Sequence, residues 1–291
     1  LSVQPVAGYS FLTYPHLNGH RLPPFLACSA NTVGRAVRQF SCFPLPSSKK
    51  AVLLRPTIHI ITNIESMSLK IVVLAKQVPD TRNVGKDAMT AEGTVNRAAL
   101  PAIFNPEDLN ALEQALRLKE QHPGSTVGVL TMGPPRAGEI IRQGLYRGAD
   151  TGWLLTDKLF AGADTLATSY ALATAIKKIG DVDIVIGGRQ AIDGDTAQVG
   201  PQVAQKLGLN QVTYAEEILK VEDGKLTIRR YIDGGVETVE APMPCVVTVN
   251  GSAAPCRPCN AKLVMKYKNA RCPMERNGKE PHPELFDLRP Y

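Results

Sequence analysis

The stretch that decides the fold reads Val185-Ile186-Gly187-Gly188-Arg189-Gln190-Ala191-Ile192-Asp193-Gly194-Asp195-Thr196-Ala197-Gln198-Val199-Gly200-Pro201. Residues 181–186 form an apolar, β-branched run of strand length, and residues 203–207 are typical of a helix. The glycines therefore lie in a turn that leads from a buried strand into a helix. In open α/β sheets, ligands bind at such turns.

This turn has the chemistry of a phosphate site. The first N–H groups of a helix have no partner inside the helix, and the helix dipole adds positive potential at the same end. Gly187, Gly188 and Gly194 would let the backbone approach an anion closely, because glycine has no Cβ. The turn is therefore a candidate nucleotide-binding loop.

Other residues of the turn set its limits. Asp195 is a favoured N-cap type and Pro201 is tolerated only near a helix start, so the first helical turn is predicted near residues 196–198. Arg189 could meet phosphate charge, whereas Asp193 and Asp195 cannot both face it. Glycine, aspartate and proline are also ordinary loop residues, and the turn matches neither a Walker A sequence nor Gly-x-Gly-x-x-Gly. These residues alone leave a nucleotide site and an empty loop equally open.

The net charge of +6 does not indicate a nucleic-acid-binding surface. Six basic side chains and one acidic side chain, a balance of +5, lie in residues 1–66, so the rest of the chain carries only +1. This segment is predicted to be a poorly ordered, non-homologous extension. It resembles an organellar transit peptide, but the preferred interpretation is sequence upstream of a natural start at Met67. Its apolar run, residues 51–64, is broken by Arg55 and Pro56 and too short to span a membrane.

Cysteine and histidine use exclude several classes of protein. The six cysteines are too irregularly spaced for a disulfide framework, which favours a reducing compartment: the cytoplasm, with the mitochondrial matrix as the alternative. Cys256 and Cys259 form a single CxxC pair without a nearby histidine, so isolated thiols are favoured over a zinc or redox site. Only His122 and His282 lie beyond residue 66, and His122 is predicted to cap a helix end, so a serine or cysteine hydrolase would lack its catalytic histidine. No catalytic residue and no metal ligand is predicted.

Strands and helices alternate from Met67 onward. Strands are predicted at residues 70–75, 125–131, 152–155, 182–186 and 244–249, and helices at residues 106–120, 139–147 and 166–179. A hairpin turn is predicted at Glu92-Gly93, and an antiparallel meander at residues 217–221, 225–232 and 236–240. The first helix starts with Asn105 as cap, Pro106 at its first position and two carboxylates in its first turn. Strict strand–helix succession means parallel pairing with right-handed crossovers, which gathers the strand-end loops at one edge.

The predicted fold class is α/β, with a doubly wound, mostly parallel, Rossmann-like sheet that binds an adenine nucleotide. A small antiparallel meander and an extended C-terminal arm complete it. The nucleotide-binding domain is predicted to cover residues 67–250. Residues 251–291 are Pro-rich and basic, with no terminating element, which predicts a partner-binding arm, or alternatively a solvated one.

Four strand-end segments carry a family pattern. They are Val73-Leu74-Ala75-Lys76-Gln77-Val78-Pro79-Asp80, Asn105-Pro106-Glu107-Asp108, Thr131-Met132-Gly133-Pro134-Pro135, and Gly188-Arg189-Gln190-Ala191-Ile192-Asp193-Gly194-Asp195-Thr196. Together they resemble the beta subunit of electron transfer flavoproteins over roughly residues 67–268. The resemblance implies a heterodimer with an alpha subunit that carries its own flavin.

The resemblance also bears on the cofactor. Plain carriers of the family read Asp-Asp-Asp-Cys-Asn-Gln-Thr-Gly where this chain has residues 193–200, and they hold AMP. The glycine at position 194 and residues 162–169 look like the electron-bifurcating form, which holds FAD. The resemblance therefore implies FAD, with AMP as the alternative.

By resemblance, three groups of residues bind the cofactor. The adenosine would be enclosed by Leu74, Asn105, Pro106, Glu107, Asp108 and Met132. The ribose and phosphates would be held by Gly188, Arg189, Gln190, Ala191, Ile192, Asp193, Gly194, Asp195, Thr196, Ala197, Gln198 and Val199. The pyrophosphate or flavin end would lie near Asp164, Thr165 and Thr168. Backbone amides are expected to do most of the holding.

The implied reaction is electron transfer. NADH would deliver hydride to the flavin, one electron would pass to the alpha-subunit flavin, and the other would pass to a low-potential acceptor such as ferredoxin. Residues 250–258 depart from the plain carriers' pattern, which leaves the partner, such as an acyl-CoA dehydrogenase-type flavoprotein, undetermined. The family usually continues past position 291, so a fragment is expected. The alternatives are a plain carrier with structural AMP and a non-redox nucleotide-binding module.

Overall fold

The computed structural model describes residues 67–80, 101–275, 282 and 284–288. The expectations for residues 1–66 and for the turn at Glu92-Gly93 lie outside the described residues. Among the described helices, none combines the length and the apolar character needed to cross a bilayer.

The described residues form eleven strands and five α-helices. The strands are β1 (Lys70–Leu74), β2 (Gln77–Pro79), β3 (Ala102–Phe104), β4 (Thr126–Met132), β5 (Thr151–Leu155), β6 (Ile184–Gly188), β7 (Asn210–Glu222), β8 (Lys225–Ile232), β9 (Gly235–Pro242), β10 (Cys245–Val249) and β11 (Leu285–Leu288). The helices are α1 (Pro106–Gln121), α2 (Gly138–Arg147), α3 (Thr165–Ile179), α4 (Val199–Leu207) and α5 (Ala261–Tyr267). Short 3₁₀ turns at Pro135–Ala137 and Lys158–Phe160 follow β4 and β5.

Nine of the strands form one sheet in the order β11-β5-β4-β1-β6-β10-β7-β8-β9. Pairing is parallel from β11 to β7 and antiparallel between β7, β8 and β9. From β1 the chain moves outward to β4 and β5, then returns to the other side of β1 at β6. The carboxyl ends of β1 and β6 therefore flank the crevice where doubly wound sheets bind ligands. The predicted fold class, including the meander, is confirmed.

Helices cover both faces of the parallel sheet, because the strands are apolar on both sides. In β1, Ile71 and Val73 pack with residues of α1 and α2, while Val72 packs on the opposite face with residues of α3 and α4. This two-sided burial explains the nearly continuous apolar runs that predicted central parallel strands.

The C-terminal segment, predicted as an extended arm over residues 251–291, contains two regular elements in its described part. This segment forms α5 and then β11, which pairs in parallel with β5 at one edge of the sheet. Leu285 and Leu288 are buried while Phe286 is exposed, so the four-residue strand packs only part of its surface. Such a short strand lacks enough alternation to be read from sequence. A partner-binding role for this segment stays a prediction.

Candidate nucleotide-binding site

A cavity of about 1440 Å³ opens at the carboxyl edge of the parallel strands. The predicted cofactor residues in its wall are Leu74, Asp108, Met132, Asp164, Thr165, Thr168 and residues 188–199 apart from Ile192. We call residues 188–199 the cradle. Asn105, Pro106, Glu107 and Ile192 are not part of the wall. Most of the predicted cofactor residues therefore line one cavity, whereas Asn105 and Glu107 lie outside its wall and contact the backbone of the cradle.

Asn105 fastens the cradle to the start of α1. Its side chain is fully buried; Nδ2 donates to the carbonyl of Gln190 at 2.9 Å, and Oδ1 accepts from the N–H of Ile192 at 3.2 Å. Asn105 does occupy the N-cap position of α1, as predicted, but its side chain makes no capping hydrogen bond. The expected capping role is therefore wrong, because both polar atoms are committed to a segment far away in the sequence.

Glu107 pairs with Arg189, the only cation of the cradle. Its carboxylate accepts from Arg189 Nη2 at 2.9 Å and from the backbone N–H of Gln190 at 3.0 Å. This carboxylate thus neutralises the guanidinium that the sequence offered for phosphate binding. An anion in the cavity must be held mainly by other donors.

Asp108 joins the ends of β1 and β6 beneath the cavity. Its carboxylate accepts from the backbone N–H of Lys76 at 2.8 Å and from that of Gly188 at 3.0 Å. A Cβ on Gly188 would lie 2.4 Å from Asp108 Oδ1, so Gly188 is required for this contact, and its role in the approach of an anion stays a prediction. Burial is the largest influence on the pKa of Asp108 and raises it from 3.8 to about 7.

The two aspartates of the cradle have separate donors. Asp193 is only 5% exposed and accepts from Lys76 Nζ at 2.7 Å. Asp195 accepts from Gln190 Nε2 at 2.9 Å. Lys76, absent from the predicted set, therefore offsets the charge of Asp193 and leaves the cradle less negative than its sequence suggests.

Helix α4 begins at Val199, not near residues 196–198 as predicted. Asp195 and Ala197 have φ angles of +47° and +52°, which lie in the left-handed region and cannot continue a right-handed helix. Gln198 is the N-cap residue, and no side chain caps the helix. The prediction of Asp195 as N-cap is wrong, since its carboxylate is bonded to Gln190.

This uncapped helix start fits a phosphate group. The backbone N–H groups of residues 196–200 donate no hydrogen bond within the part of the chain that the structure describes. At Gly194, no atom lies within 4 Å of the position that a Cβ would occupy. This open space leaves room for a ligand to approach the backbone closely. By contrast, the nearby start of α3 is capped by Asp164, which accepts from the N–H of Ala167 at 2.8 Å. Free amides and the helix dipole thus favour an anion at α4.

The α3 and α4 starts are also joined directly. Thr165 Oγ1 donates to Gln198 Oε1 at 2.9 Å. Thr168 lies in the same wall, one turn further along α3. The predicted group at residues 164–168 therefore adjoins the Gln198 end of the cradle, where the carboxylate of Asp164 adds negative charge.

The sequence did not identify several residues of the wall. They are Lys76, Arg136, Thr156, Lys158, Phe160, Thr248, Met274 and Glu275, among others. Most of them occupy strand-end loops, so the succession of strands and helices was the signal that could have included them. Met274 and Glu275 carried no such signal, since they follow α5.

The CxxC pair, Cys256 and Cys259, lies outside the cavity wall. No cluster of three histidine, cysteine, aspartate or glutamate residues that could hold a metal ion occurs among residues with described positions. Cys256 and Cys259 are free thiols, and burial raises the pKa of Cys256 to about 11. Cys256 is therefore protonated at neutral pH and is a poor nucleophile.

Sequence comparison connects this geometry with known proteins. The profile described as Electron transfer flavoprotein domain matches residues 92–272. The chain is 53% identical over 180 residues to the caffeyl-CoA reductase-Etf complex subunit CarD of Acetobacterium woodii, an alignment covering 62% of this chain and 68% of the relative.

Two further relatives have similar sequence identity. Protein FixA of Azorhizobium caulinodans is 49% identical over 187 residues, which cover 62% of this chain and 66% of FixA. The electron transfer flavoprotein subunit beta of Clostridium acetobutylicum is 51% identical over 180 residues, with 62% and 68% covered. The chain thus spans about two thirds of the length of these relatives.

Proposed function

This chain belongs to the electron transfer flavoprotein family, and on that premise we propose that it is a beta subunit that binds FAD in the cavity beside the cradle. The observation that carries this proposal is the uncapped start of α4, where consecutive N–H groups at residues 196–200 face no acceptor among the described residues. A pyrophosphate seated there would be held by main-chain donors and the helix dipole.

The size of the cavity favours a dinucleotide over AMP. About 1440 Å³ exceeds the roughly 300–1,000 Å³ of ordinary small-molecule pockets. The wall also continues from the cradle past Thr165 and Thr168 at the start of α3, which leaves room beyond the phosphates. The glycine at position 194, where carriers with AMP have aspartate, supports the same choice.

FAD, when bound, would supply the redox chemistry that the side chains of this chain do not have. The residues of the chain bind and orient it: Asp108 and Asn105 fix the cradle, and the amides of α4 hold the phosphates. Lys76 offsets the charge of Asp193 next to them. The contribution of the protein is therefore to position the cofactor and to set the electrostatic potential around it.

We further propose an alpha subunit as the heterodimer partner, NADH as electron donor, and a low-potential acceptor such as ferredoxin for bifurcation. An acyl-CoA dehydrogenase-type flavoprotein is the second partner, and the cytoplasm is the location. The name of the CarD relative, a subunit of a reductase–Etf complex, supports assembly with a CoA-ester reductase.

Nucleotide extraction from the heterodimer tests the proposal. We expect two FAD per heterodimer, one from each subunit, quantified by chromatography after denaturation. One FAD and one AMP would instead identify a plain carrier with structural AMP. A heterodimer without any nucleotide on this subunit, or a colourless chain that turns over ATP, would remove the electron-carrier function.

A further inference from the structure

Tyr214 adopts a backbone conformation that a tyrosine rarely accepts. Its φ angle is +58°, in the left-handed region, although it lies inside strand β7. For a bulky residue this is a true outlier, and such strain persists only where surrounding contacts enforce it. The position therefore calls for a compensating interaction.

A β-bulge creates this conformation. β10 and β7 pair in parallel at Val247 with Val212 and again at Val249 with Ala215, so one residue of β10 faces two residues of β7. Bulges re-aim side chains and occur often beside active sites. This one lies at the carboxyl edge of the sheet, where Asn250 N–H donates to the carbonyl of Ala215 at 2.8 Å.

The bulge places the Tyr214 ring against Arg189 of the cradle. The centre of the guanidinium lies 5.5 Å from the ring centroid, within the range of a cation–π contact. Arg189 in turn donates to Glu107, and Glu107 accepts the backbone N–H of Gln190. The side chains of Tyr214, Arg189 and Glu107 thus form a continuous chain of contacts that connects β7 with the end of β6 and the first turn of α1.

We infer that Tyr214 is a positioning residue for the nucleotide site, acting through Arg189 and Glu107 on the backbone of the cradle. This inference rests on the proposed function. Tyr214 does not line the cavity. Its ring orients the guanidinium, which keeps the Glu107 carboxylate on the Gln190 N–H and so fixes the cradle at its entrance.

The left-handed backbone of Tyr214 allows a test, because removal of the ring should weaken nucleotide binding without lowering the melting temperature. Tyr214→Gly relaxes the left-handed backbone, so the melting temperature of the nucleotide-free heterodimer should not fall. The same variant loses the cation–π contact, so FAD and AMP should both bind about two- to fivefold more weakly. Tyr214→Phe keeps the ring and loses only the hydroxyl, which also interacts with Arg189, so it should bind both nucleotides more tightly than Tyr214→Gly does.

Tyr231 provides a matched control, since it is an exposed tyrosine on β8, away from the cavity wall. Tyr231→Gly should lower the melting temperature and leave nucleotide binding unchanged. Fluorescence titration of the stripped heterodimer with FAD and with AMP gives the dissociation constants. Three results would each overturn the inference: unchanged binding in Tyr214→Gly, binding in Tyr214→Phe as weak as in Tyr214→Gly, or a loss of binding that only follows a loss of stability. A wild type that binds neither nucleotide would remove the proposed function as well.

Discussion

In the first turn of α1, three polar side chains form their main hydrogen bonds outside their own helix. Asn105, Glu107 and Asp108 reach residues 80 to 85 positions later in the sequence and hold the backbone of the cradle. The helix dipole favours negative charge at this position, but for Asp108 the burial outweighs it and raises the pKa to about 7. These side chains shape the site without all of them lining it.

Asn105→Ala should therefore damage both stability and binding. It leaves the partly buried carbonyl of Gln190 and N–H of Ile192 without their Asn105 partner, which should lower the free energy of unfolding by about 1–2 kcal/mol. Asn110→Ala is the control, because Asn110 on the same helix also donates to two carbonyls, those of Gly251 and Ala253. It should cost about 1 kcal/mol and spare nucleotide binding. Urea denaturation and FAD titration measure both, and equal effects of the two variants on binding would contradict this account.

Asp108 predicts a pH-dependent stability of defined sign. Its pKa rises from 3.8 in the unfolded chain to about 7 in the folded one. Between these values the folded chain holds a proton that the unfolded chain has released, so the contribution of Asp108 to the free energy of unfolding falls as pH increases. The fall should approach about 1.4 kcal/mol per pH unit between pH 4 and 7, and level off outside that window.

Asp108→Asn isolates this contribution, because asparagine does not titrate. The difference in unfolding free energy between wild type and Asp108→Asn should decrease from pH 4 to pH 7 in urea titrations. A difference that stays constant, or that increases with pH, would show that the carboxyl is not protonated in the folded chain near neutrality.

At the scale of elements, the turn from β6 to α4 was predictable in place but not in conformation. The apolar strand, the glycines and the following helix set its position, because each has a local sequence signal. The left-handed conformations of Asp195 and Ala197, at φ angles of +47° and +52°, have no such signal. The first turn of α4 was therefore placed too early.

Two glycines of this turn should respond in opposite ways to the same substitution. Gly188→Ala places a Cβ 2.8 Å from backbone atoms of Glu107 and Asp108, which cannot move cheaply, so it should lower the free energy of unfolding by about 1–3 kcal/mol. Gly194→Ala meets nothing within 4 Å and should leave stability within about 0.5 kcal/mol of wild type. It should nevertheless weaken FAD binding about tenfold if the phosphates lie against it. Full FAD affinity in Gly194→Ala would place the phosphates elsewhere.

At the scale of the whole molecule, the order of the sheet follows from the alternation of strands and helices. The parallel core around β1 and β6 has strong apolar signals on both faces, so sequence patterns sufficed to predict it. The opposite edge did not follow, since β11 has four residues and joins β5 across more than 120 positions of sequence. Long-range pairing of this kind depends on the assembled sheet and leaves no local pattern.

Leu285 and Phe286 test whether this strand is part of the fold. Leu285 is 2% exposed and packs in the core with residues of α2, whereas its neighbour Phe286 is 46% exposed. Leu285→Ala should lower the free energy of unfolding by about 2–4 kcal/mol, because it opens a cavity where the strand meets the core. Phe286→Ala removes a larger side chain and should cost less than about 1 kcal/mol. Chemical denaturation measures the free energy of unfolding of both variants. If Leu285→Ala lowers it no more than Phe286→Ala does, β11 does not contribute to the folded sheet. Residues 284–288 would then belong to the solvated arm that the sequence gives as the alternative.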